Sequence, residues 1–142
     1  MSDFKVIIRG VYFRGNKKVQ RTFPDWNDFI KECRIPNRGA AISNATKKKY
    51  QKICADFIWE QLGSTKIEGP VLIQYDCYEI DNGRDIGNIG FVDKIFCDAL
   101  CHDVRTMADD NPNNIKGFAV IHHVDAENPR IEVTIREIRE RN

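Results

Sequence analysis

Pro70-Val71-Leu72-Ile73-Gln74-Tyr75-Asp76-Cys77-Tyr78-Glu79 is the most apolar, β-branched stretch of the chain. Its length and residue types suit a central strand better than a helix. Asp81-Asn82-Gly83 turns the chain after it. Downstream, Asn88 can begin a helix in which Val92, Ile95, Phe96, Ala99 and Leu100 face a core. Lys94 and Asp98, four apart, share its polar side. Asp109 to Asn114 is turn chemistry leading into a strand over 115–124. In the last strand Ile131, Val133 and Ile135 alternate with Glu132, Thr134 and Arg136, so one face packs and the other meets water.

Upstream, Phe4 to Arg9 reads as a first strand, with Gly10 or Gly15 marking its turn. Residues 16–42 mix Lys17, Lys18, Arg21, Arg34 and Arg38 with Phe23, Trp26 and Phe29, and read as a long basic loop with one short helical turn over 25–33. Trp26 and Phe29 suit either stacking on unpaired bases or anchoring that loop. Ser43 or Asn44 can cap a helix that Gly63 ends, with Tyr50, Ile53, Cys54, Phe57 and Ile58 on its apolar stripe. The order β, loop, α, β, α, β, β predicts an α+β fold (a mixed α/β layer structure): one domain over residues 1–142, a mixed sheet and two main helices.

The whole chain of 142 residues carries 22 Lys+Arg against 21 Asp+Glu, a net charge of +1. That sum hides a polarity. Residues 1–70 hold 14 basic and 7 acidic side chains, and residues 71–142 hold 8 and 14. A basic half suits a polyanion and an acidic half supplies carboxylates, although a mixed solvated surface has the same composition. Lys47, Lys48, Lys49 and Lys52 crowd the first turns of a helix, where the backbone already carries positive charge and favours acids. Phosphate attraction accounts for them, as does simple solvation.

No apolar run approaches the roughly 18 to 20 residues of a membrane span. Met1-Ser2-Asp3-Phe4 resembles no signal leader, and the five cysteines form an odd set, so a cytoplasmic location with free thiols is expected. Cys97-x-x-x-Cys101-His102 and His122-His123 have zinc-ligand chemistry without the usual spacing.

Arg84-Asp85-Ile86-Gly87-Asn88, then Lys94 to Leu100, then Asp109-Asp110 place two carboxylates and a lysine where they can converge. Hard divalent cations take oxygen ligands, and a nearby lysine stabilises charge developing on a phosphodiester. Asp85 and Asp110 also suit turn capping, and Asp98 suits a structural partner of Lys94 or a capping acceptor rather than a metal ligand.

This ordered set resembles the RusA family of Holliday junction resolvases: a basic residue, DxDN, a lysine on a helix ending in a DAL-like turn, and a short acidic stretch. Pro24-Asp25-Trp26-Asn27 resembles the family's early PxxN element, Asn37-Arg38-Gly39 through Lys49 its basic stretch, and residues 125–135 its closing turn and strand. The likeness runs from about residue 23 to 137. It implies a homodimeric, Mg²⁺-dependent endonuclease (Mn²⁺ substituting) that makes paired nicks in four-way DNA junctions, with no small-molecule cofactor and no membrane partner. Carried over, Asp85 and Asp110 are metal ligands and catalytic residues and Lys94 the electrostatic catalyst. Asn27, Arg38, Lys47, Lys48, Lys49, Lys52, Arg84 and Asn88 contact DNA or shape the site.

Gly87 stands where the pattern has its second aspartate. The alternative is therefore a weakened protein that binds branched DNA without efficient cleavage. Asp93, Asp81 or a water could replace the lost carboxylate, with Asp93 a poor substitute because it projects roughly 100° from the side carrying Lys94.

Overall fold

The computed structural model describes residues 3–9, 13–16, 19–21 and 23–138. Strands β1 (Asp3–Arg9), β2 (Phe13–Asn16) and β3 (Val19–Arg21) precede helices α1 (Trp26–Cys33) and α2 (Gly39–Leu62). Then come β4 (Val71–Glu79), α3 (Ile86–Ile89), α4 (Phe91–Asp98) continued by a π-helical turn (Ala99–Asp103), β5 (Ile115–Val124) and β6 (Arg130–Glu137).

The expected α+β architecture is present. β1, β6, β4 and β5 form one mixed sheet in that order, with β4 antiparallel to β6 and parallel to β5. On β4, Val71, Ile73, Tyr75, Cys77 and Glu79 alternate inward. On β6, Ile131, Val133 and Ile135 do the same. Register aligns these residues, since Tyr75 pairs with Val133 on one side and Val120 on the other. The helices cover this face, α2 through Tyr50, Cys54 and Ile58, and α4 through Val92, Ile95 and Phe96, extended by Ala99 and Leu100. The parallel β4–β5 crossover carries α3, α4 and the π-helical turn. No helix among the described residues is long and apolar enough to cross a membrane.

Three local expectations change. Residues 26–33 form a full helix, because Asp25 accepts from the Asp28 amide at 2.9 Å while the Asp28 carboxylate accepts from the Asp25 amide at 3.0 Å. That reciprocal cap stabilises a short helix within a basic segment. The β2–β3 ladder occupies part of the same expected loop; Gly10, Lys17 and Lys18 lie outside the described residues.

α2 begins at Gly39 rather than at a Ser43 or Asn44 cap, and the Ser43 hydroxyl donates back to the Gly39 carbonyl at 2.8 Å. A Cβ at Gly39 would lie 2.1 Å from the Cys33 carbonyl oxygen, so only glycine permits α1 and α2 to meet there. Gly63, at φ 55°, ends α2 as expected. The second main helix starts at Ile86 rather than Asn88 and divides at Gly90.

Candidate functional site

Helical spacing stacks Lys94, Asp98 and His102 on one side of α4 and its π-helical continuation. Lys94 Nζ lies 3.5 Å from Asp98 Oδ2, and His102 Nε2 lies 4.0 Å from Asp98 Oδ1. From α2, Lys47 Nζ reaches the same Asp98 Oδ2 at 3.4 Å. Asp110 completes the group. Ligand atoms of Asp98, His102 and Asp110 all lie within 4.8 Å of one another, an arrangement that could hold a metal ion. The turn carrying Asp110 is organised by its neighbour: Asp109 accepts from the Asp110 amide at 2.8 Å, the Asn111 side chain at 3.1 Å and, through its carbonyl, the Asn114 side chain at 2.9 Å. Asp109 thus takes the capping role, while the Asp110 carboxylate faces the cluster.

One helical position away, Asp93 is anchored from below. Tyr75 Oη donates to its Oδ1 at 2.6 Å, and Cys97 Sγ donates to the same atom at 3.3 Å. Burial raises the Asp93 pKa, the two hydrogen bonds and Lys94 oppose that rise, and the Asp110 charge adds to it. The Cys101 thiol is pushed up to about 12 by burial and by the carboxylates of Asp110, Asp109 and Asp98. Among the described residues neither Cys97 nor Cys101 belongs to the three-residue group. His122 and His123 sit on β5, one 3.0 Å from the Asp81 carbonyl and the other 2.8 Å from Asp76 Oδ1. Asp81 is occupied in its own turn, accepting from the Gly83 amide at 2.8 Å.

The residues singled out from sequence divide. Asp110 and Lys94 enter the cluster. Asp85 does not; it heads α3, its carbonyl accepting from Asn88 and Ile89 at 3.0 and 3.1 Å, with an exposed carboxylate that makes no capping bond. The eight residues of α4 put about 12 Å of helix between that junction and Asp98. The three-residue group therefore pairs Asp110 with Asp98 and His102 rather than with Asp85. Asp98 is the expected partner of Lys94, but it also stands in this candidate metal group rather than serving only as a structural partner, because Asp110 and His102 reach it in space. Its second cation, Lys47, is distant in sequence.

Arg84 departs furthest from expectation. Its side chain is 6% exposed and pairs with Glu79 at 2.6 Å, donates to the Phe23 carbonyl at 2.6 Å and lies 3.7 Å from Asp25. It is an internal strut, screened from any phosphate. Asn27 and Arg38 are exposed, Asn88 is half-buried in α3, and Lys48 and Lys49 face solvent. Lys52 pairs with Asp56 one turn on, at 3.1 Å.

Beside the cluster lies a cavity of about 470 Å³, lined by Trp26, Ile86, Gly87, Gly90, Asp93, Lys94, Phe118 and Val120. Asp93 and Lys94 both border it, yet Asp93 turns to Tyr75 and Cys97 and Lys94 to Asp98, and Asp93 stays outside the three-residue group, as their angular separation led us to expect. The cavity spans from α1 across α3 and α4 to β5, wide enough to meet neighbouring helix positions. Trp26 and Phe29 anchor α1 on Phe91, at centroid distances of 4.6 and 5.2 Å, and Trp26 still keeps part of its ring exposed. No protein-family model and no curated protein matches this chain.

Proposed function

We propose that this chain is a structure-selective DNA endonuclease of the RusA type, which hydrolyses phosphodiesters in four-way junctions with a divalent cation and makes paired nicks as a cytoplasmic homodimer. The observation that carries the reading is the convergence of Asp98, His102 and Asp110 beside Lys94 and Lys47. Two carboxylates and an imidazole fit a divalent ion of the Mg²⁺ to Mn²⁺ range, with oxygen donors suiting both and the nitrogen favouring Mn²⁺. Bound there, such an ion supplies charge neutralisation at the phosphodiester and acidifies water. Lys94, half-exposed, exchanges Asp98 for a phosphate oxygen and stabilises charge developing on it. Lys47 supports the same phosphate, and exposed Lys48 and Lys49 attract the flanking backbone.

The test is nicking of a synthetic four-way junction with and without Mg²⁺ or Mn²⁺, beside a gel shift over a salt series. Paired, metal-dependent nicks and affinity that falls steeply with salt are expected. Salt-independent binding, or none, overturns the reading. A direct metal measurement adds to this: Mn²⁺ binding followed by electron paramagnetic resonance should weaken about tenfold or more in His102→Ala. Unchanged Mn²⁺ affinity would remove His102 from the ligand set.

Gly87 favours the second reading, junction binding with weak cleavage. It lines the cavity beside Asp93 and Lys94, and a Cβ there would meet nothing within 4 Å. Gly87→Asp is accordingly accommodated without strain. With the ligand set at Asp98, His102 and Asp110, it should leave metal-dependent nicking within about threefold of the parent. A gain of about tenfold, equivalent to about 1.4 kcal/mol at the transition state, would move the metal to the turn at 85–87 and overturn that ligand set.

A further inference from the structure

We infer that the cavity beside the acidic cluster is a slot for one unpaired nucleobase, an inference that rests on the DNA endonuclease reading and extends it to how the substrate is selected. Three exposed large apolar side chains, Trp26 at 36%, Ile86 at 53% and Phe118 at 52%, meet at this one cavity. Exposed apolar surface gathered in a concave site marks a ligand, and 470 Å³ lies within the range of small-ligand sites. Both rings are braced before any ligand arrives, Trp26 edge-on to Phe91 at 4.6 Å and Phe118 edge-on to Tyr75 at 6.2 Å. Gly87 and Gly90 leave the adjoining wall without side chains.

The polar groups say what kind of ring fits. Tyr75 and Cys97 both donate to Asp93 Oδ1 and hold the carboxylate in place, and among the described residues Oδ2 accepts no hydrogen bond. A carboxylate presents acceptors only. Each of the four bases carries an N–H on its Watson–Crick edge, and pairing occupies that N–H. An acceptor at the end of an aromatic slot therefore selects for an unpaired base and tolerates any sequence, as base stacking does. Lys94, which lines the same cavity and lies 3.5 Å from Asp98, sets the slot next to the scissile phosphate that it is proposed to hold. The slot thus couples recognition of a disrupted duplex to the cluster that cuts it.

The chain has two tryptophans, so Trp59→Phe, at a 60% exposed position on α2, leaves Trp26 as the single reporter. Three metal-free DNA probes suffice: a paired duplex, the same duplex with one extra unpaired base, and that duplex with an abasic unit in place of the extra base. Quenching of Trp26 emission by the unpaired-base duplex alone is expected, with binding about tenfold tighter than to the other two. Phe118→Ala, on an edge strand, should erase that preference while paired-duplex binding persists. Trp26→Ala should do the same if α1 remains folded. Equal affinity and emission for all three probes, with binding intact, would overturn the slot and leave the endonuclease reading standing. Failure to bind any probe or a four-way junction would overturn both.

Discussion

Asp110→Asn should lower metal-dependent nicking of a four-way junction by about 100-fold or more, while junction binding stays within about threefold of the parent. The asparagine keeps the shape of the side chain and removes the charge that shares a ligand sphere with Asp98 and His102. Turn geometry should survive, because Asp109 supplies the capping bonds there. Asp98→Asn should match the loss in rate, and it also frees Lys47 and Lys94 from their shared carboxylate, so junction affinity should hold or rise. Asp85→Asn is the discriminating control. Its carboxylate is exposed and outside the three-residue group, so a change of no more than a few-fold is expected. A loss at Asp85 equal to that at Asp110 would refute the ligand set even with the class of enzyme upheld.

Arg84→Met should destabilise the fold by about 3 to 5 kcal/mol, read as a lower urea midpoint at unchanged slope. The guanidinium is enclosed with two carboxylates, Glu79 at the end of β4 and Asp25 at the cap of α1, and donates to the Phe23 carbonyl. Methionine fills much of the volume but removes the guanidinium that both buried carboxylates face. A loss of this size is a large share of the roughly 5 to 15 kcal/mol that holds a domain folded. Lys48→Met, at an exposed position, should stay within about 0.5 kcal/mol. Were Arg84 a phosphate contact instead, stability would be retained and the salt dependence of DNA binding would fall by about one ion.

The reason Arg84 misleads in sequence is instructive. A basic residue beside Asp85 and Asn88 has the appearance of a substrate contact, and nothing local signals that Glu79 and Asp25 close over it. α1 was read only as a single helical turn over 25–33 for a related reason: eight residues make barely two turns, and the Asp25–Asp28 cap that holds them is made by shorter side chains than the usual Glu or Gln. The start of α2 was misplaced because Gly39 serves the contact with Cys33, a tertiary requirement invisible in helix propensity.

Residue type, turn chemistry and local periodicity by themselves determined the strands at Val71–Glu79, Ile115–Val124 and Arg130–Glu137, the stripe of Tyr50, Cys54 and Ile58, and the Lys94–Asp98 pair. Repeats of two and 3.6 residues are properties of neighbours, and burial of one face follows from them wherever the elements pack. The convergence of residues 47, 98, 102 and 110 is different in kind. It arises because α2 and α4 pack on the same face of the sheet and the turn before β5 returns past the end of the π-helical segment. Electrostatic coupling depends on separation in space, and only the packing of distant segments brought Lys47 and Asp110 to Asp98 while leaving Asp85 at the far end of the helix.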